Sequence, residues 1–129
     1  MCDKSILLIL AILVTSNTFY GLAAPFLPTL LEDLDIAETL TGLIFSAYAI
    51  ASMIMSLFVG KIIDRAGHRC IITLGALLMS TSIFCFGLVH RLSDKLAIVL
   101  LFLLLRCGQG IASGMINTSA FAYAAEAYP

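Results

Sequence analysis

The chain has 129 residues, of which 61% are hydrophobic and 12% charged, with a mean hydropathy of +1.09. A soluble domain draws only about half of its residues from apolar types, so this composition excludes an ordinary soluble enzyme or binding module and points to lipid as the solvent. The formal net charge of −1 gives no electrostatic reason to expect nucleic acid or an anionic lipid surface as a partner.

A helix needs about 20 apolar residues to cross a hydrocarbon core roughly 30 Å thick. Four stretches meet that length, and the expected fold class is an all-α membrane protein with about four transmembrane helices. The first covers residues 5–28. Lys4, the apolar run that follows, and Gly21-Leu22-Ala23 have the outline of a signal peptide. The run is too long for that, and Pro25 would stand directly behind the cut, so a permanent span kinked at its prolines is expected. A connection over residues 31–39 follows, carrying Glu32, Asp33, Asp35 and Glu38 and no Lys or Arg.

The second span is expected over residues 40–63. Ser52, Ser56 and Gly60 recur at four-residue steps, with Ala47 and Ala51 beside them, a small-residue stripe suited to close helix packing. The next connection reads Gly60-Lys61-Ile62-Ile63-Asp64-Arg65-Ala66-Gly67-His68-Arg69. Gly60 would admit a neighbouring helix, Gly67 would permit a tight reversal, and Asp64 could face a helix N-terminus or the nearby Arg65 and Arg69. The pattern G-x-x-x-D-R-x-G-x-R resembles the loop between the second and third helices of major facilitator superfamily transporters. In that family the loop is an intracellular latch between two halves of the carrier. The resemblance implies that role for Gly60, Asp64, Arg65, Gly67 and Arg69. His68 departs from the family, which often has another basic residue at its position. Read without the glycines and the aspartate, the same charges would be ordinary topology signals.

The third span is expected over residues 70–89 and the fourth over residues 96–120, with room to continue to Ala125. Within the fourth, Arg106, Gln109, Gly110, Ser113 and Asn117 fall on one helical face, while Leu103, Leu104 and Ile111 lie opposite. An arginine near the middle of a span costs about 2.5–3.5 kcal/mol on insertion scales, so Arg106 should face a polar interior, in a functional site or a buried structural network. Arg106, Gln109, Gly110 and Gly114 are similar to the family's fourth-helix pattern R-x-x-Q-G-x-x-x-G, which implies a part for Arg106 in proton coupling. Gly110 and Gly114 are also a G-x-x-x-G packing pair.

The end of span one, Pro25-Phe26-Leu27-Pro28, resembles the first helix of drug:proton antiporters and vesicular amine transporters. Monoamine carriers of that group hold an aspartate nine residues before the first proline. Here that residue is Ser16, followed by a matching Asn17, so the acid for an amine is missing. Asn17, Tyr20 and Asn117 could hydrogen-bond a polar solute, and Phe19 and Tyr20 could stack on it. The alternative for the polar three is contact between helices.

Basic residues near the span ends set orientation. Lys4, Lys61, Arg65 and Arg69 fall on one side, against Arg91 and Lys95 on the other. The expected topology therefore puts the N-terminus in the cytoplasm. Cys2, Cys70, Cys85 and Cys107 have no redox or metal spacing. His68 and His90 are expected in connections without zinc partners, and neither an enzyme nor a cofactor is expected.

The resemblance implies a segment of a secondary active transporter that moves a small organic solute by alternating access, in antiport with protons. Transporters of this family have twelve spans in two halves. Four spans would then be an N-terminal part of such a bundle, partnered by lipid, solute, protons and further helices. The alternative is a non-transporting membrane subunit that kept the transporter-like fold and packs against a larger complex.

Overall fold

A computed structural model describes residues 2–33, 35–89 and 94–127. Four α-helices follow one another: α1 (Cys2–Asp33), α2 (Glu38–Ala66), α3 (His68–Leu88) and α4 (Lys95–Ala127). Each is long and apolar enough to cross a membrane. Three of them overrun the expected spans. The 29 residues of α2 reach roughly 44 Å, beyond the hydrocarbon and into the headgroup zone, where polar residues are solvated without leaving the helix. Arg91 and His90 lie outside the described residues.

The connection expected between spans two and three is nearly absent. α2 continues through Asp64 and Arg65 to Ala66, and α3 starts at His68. Gly67 alone breaks the helix, with φ +78° and ψ 148°. That backbone region suits a residue without a Cβ, and Gly67 N–H donates to the Ile63 carbonyl at 2.9 Å. Asp35 adopts φ 57° in the first connection, a left-handed conformation that Asp tolerates better than most residues.

α4 is the central helix. It packs along α2 and α3, whereas α1 rests more lightly on α2 and α4. Glycines set the close approaches. A Cβ at Gly110 would collide with the Tyr48 carbonyl oxygen, and one at Gly114 would stand 2.7 Å from the Ser52 carbonyl oxygen, so α2 and α4 touch backbone to backbone. On the other flank, a Cβ at Gly75 of α3 would stand 2.9 Å from the Ile116 side chain. Ala51 and Ser52 of the expected stripe thus take part in the contact. At Gly60 no described neighbour lies within 4 Å of where a Cβ would be, so the close approach expected there is not made by these four helices.

Apolar clusters close the two ends. Leu27, Leu31, Ile44, Val89, Ile98 and Phe102 gather near the acidic connection. Val59, Ile63 and Ile71 gather near Gly67. The outward faces are apolar as well, with Leu7, Leu57, Phe84 and Leu96 exposed, as lipid contact requires. Polar side chains on those faces bond back into their own helix. Thr15 donates to the Ala11 carbonyl, Thr18 to Val14, Thr73 to Arg69 and Thr81 to Leu77, all at 2.7–2.8 Å. A hydroxyl satisfied this way needs no partner in hydrocarbon. Pro25 and Pro28 lie within α1, which nonetheless runs on to Asp33.

Candidate solute site around Arg106

Arg106 lies about three turns into α4 and is fully buried. Its Nη1 donates to Oε1 of Gln109, one turn later, at 3.2 Å. Phe45 of α2 and Phe86 of α3 cover the guanidinium, with ring centroids 5.1 Å and 5.8 Å from Cζ. A desolvated cation over an aromatic face gains about 2 kcal/mol. Two such rings and one amide oxygen hold the group without an acid. Nε and Nη2 have no hydrogen-bond partner among the described atoms, although each unpaired buried donor is costly.

In front of this group is a cavity of about 330 Å³ lined by all four helices, within the range of small-molecule sites. Phe19, Tyr20, Leu22 and Phe26 come from α1, Tyr48 from α2, Met79, Ile83 and Phe86 from α3, and Gln109 from α4. Tyr20 and Tyr48 stack with centroids 4.7 Å apart and ring planes 25° from parallel. Phe86 and Gln109 each touch both the cavity and Arg106, so the cation stands directly behind the wall. A second groove of about 240 Å³ runs between α1 and α3 and shares Phe19, Met79 and Ile83 with the first. The wall of the cavity is thus largely aromatic and apolar, with one amide at Gln109.

The other expected site residues are dispersed. Gly110 and Gly114 serve the helix contact rather than the cavity. Asn17 is exposed and donates to the Leu13 carbonyl at 2.8 Å. Asn117 donates to Ser113 Oγ at 3.0 Å, within α4. Neither lines the cavity. Gly60, Asp64, Arg65, Gly67 and Arg69 lie exposed around the α2–α3 break, far along α2 from the Tyr48 wall. His68 is a correction. It is the first residue of α3, not part of a loop, and its Nε2 meets Glu126 Oε2 of α4 at 3.1 Å. Sequence reasoning missed Phe45, Tyr48 and Phe86. The two on α2 are three residues apart on one helical face, a signal that could have paired them, but nothing in the sequence aligns Phe86 with them.

These features define a polytopic helical membrane protein with a buried cation beside an aromatic cavity. The chain belongs to the major facilitator superfamily, whose family model matches residues 7–129. It is 33% identical over 109 residues to the quinolone resistance protein NorA of Staphylococcus aureus (strain MRSA252), covering 84% of this chain and 26% of that protein. It is 30% identical over 120 residues to multidrug resistance protein 2 of Bacillus subtilis (strain 168), covering 89% of this chain and 28% of the relative. The chain thus spans about a quarter of the length of these relatives. No solved structure matches it.

Proposed function

We propose that this chain works within a secondary active transporter that moves small aromatic organic solutes by alternating access, in antiport with protons, without altering them chemically. The observation that carries the proposal is the buried Arg106, with two guanidinium nitrogens that have no hydrogen-bond partner among the described residues, set behind the aromatic cavity. Relatives named for quinolone and multidrug resistance support a drug-like, mostly apolar solute. Tyr20, Tyr48 and the phenylalanines give it stacking area, and Gln109 gives it a polar contact.

Arginine keeps its charge at any physiological pH, so it does not itself carry the transported proton. Its free donors attract an acid, and a proton taken up by that acid abolishes the ion pair. No Asp or Glu of the described residues lies within the apolar stretches of the helices; Glu126 is at the far end of α4 and exposed. The acid is therefore supplied by further helices of a complete carrier or by the solute. On this reading the exposed Asp64, Arg65 and Arg69 around Gly67 form the latch between carrier halves. The excess of basic residues on their side supports a cytoplasmic position for that face and the N-terminus.

The test is proton-driven flux in the complete carrier reconstituted into liposomes. Arg106→Ala should leave membrane insertion intact and abolish flux driven by a pH gradient. Wild-type flux in that variant would remove Arg106 from the coupling step.

A further inference from the structure

Arg106 fixes which end of the Gln109 amide is left for a solute. A guanidinium carries five N–H donors and no acceptor, so an amide beside it must present its oxygen. Oε1 of Gln109 does accept from Nη1 of Arg106, at 3.2 Å. The Nε2–H donors are then what the amide can offer to a molecule in the cavity whose wall Gln109 joins. Turning the amide over would set donor against donor beside a fully buried charge. The hydroxyls of Tyr20 and Tyr48, from the same wall, can donate or accept and so do not choose between solutes.

Charge acts in the same direction. Phe86 both lines the cavity and covers the guanidinium, with its centroid 5.8 Å from Cζ, so the positive charge stands one ring away from a bound solute. No lining residue of this cavity or of the adjoining groove carries a carboxylate. Like charges repel strongly where water is scarce. We infer, resting on the solute cavity proposed above, that this cavity selects aromatic solutes bearing a hydrogen-bond acceptor, best of all a carboxylate, and rejects aromatic ammonium ions. Gln109 is the group that meets the acceptor, and Arg106 is the positioning residue that aims it. An acid of another helix paired with Nε and Nη2 would offset the charge. It would leave the amide as it is, because that orientation is set at Nη1.

Equilibrium dialysis of naphthalene derivatives tests it, with the full chain in nanodiscs of zwitterionic lipid at neutral pH and empty discs as the blank. Ethylnaphthalene is the reference, so changes in the cavity as a whole cancel. Naphthoate should bind about ten-fold tighter than the reference, the neutral naphthyl methyl ketone about three-fold tighter, and naphthylmethylammonium more weakly. Gln109→Leu should erase the advantage of the ketone and reduce that of naphthoate. Arg106→Leu frees the amide to turn over and should bring naphthoate and the ammonium within about three-fold of each other. Arg106→Lys, whose ammonium again holds Oε1, should restore the order. Ammonium binding as tight as that of naphthoate would overturn the selectivity and leave the cavity standing. So would a ketone advantage that survives Gln109→Leu, or a full naphthoate preference in Arg106→Leu. Failure of every derivative to bind above the blank would overturn the cavity itself, and the selectivity with it.

Discussion

α4 and α1 are treated very differently by the bundle. α4 is gripped on two sides: Gly110 and Gly114 let the backbone of α2 against it, and Gly75 admits Ile116 into α3. α1 touches α2 and α4 over short stretches, and most of its apolar side chains remain exposed. A Cβ at Gly21, midway along α1, would meet nothing within 4 Å. The cavity lies between these two helices, with four of its lining residues from α1 and Gln109 from α4.

Substitutions can break or sharpen that contrast. Gly110→Leu should be the most damaging, because the new side chain runs into the α2 backbone, which cannot turn aside. A loss of about 3 kcal/mol or more, in the class of severe overpacking, is expected in detergent unfolding, and a stable bundle would refute the close contact. Gly75→Ala should cost less, about 1–2 kcal/mol, since Ile116 can shift by part of an ångström. Tyr48→Ala should cost about 1 kcal/mol through the lost stacking on Tyr20. Equilibrium binding of an aromatic solute to the complete carrier should weaken about ten-fold in the same variant, and unchanged binding would take the cavity out of the site. Gly21→Ala should be the mildest, within about 0.5 kcal/mol or slightly stabilising, because Ala is the better helix former. A cost like that of Gly75→Ala would show α1 to be as tightly held as α4.

Much of this contrast was open to sequence reading, and the rest was hidden for physical reasons. The four spans follow from hydropathy because backbone in lipid has few alternatives to the helix. The polar face of α4 and the reversal at Gly67 were legible as well, since each depends on local spacing or on one residue's backbone freedom. Relations between helices were not. Nothing local pairs His68 with Glu126, or brings Phe45 and Phe86 over Arg106, because those contacts depend on the rotation of separate helices about their axes. Asn17 and Asn117 were readable as polar groups, but not that each amide donates to an acceptor within its own helix. The residues flanking Gly67 looked like a loop because they are charged, and a helix that outruns the hydrocarbon can carry charges without ending.

The back-bonded hydroxyls have a mechanical consequence. Thr15, Asn17 and Thr18 of α1 all donate to carbonyls one turn earlier on the same helix. These three polar groups keep their acceptors whatever the helix slides against, so tilting or rolling α1 need not break their hydrogen bonds. In that stretch a rolling α1 would exchange one set of dispersion contacts for another without giving up a side-chain hydrogen bond.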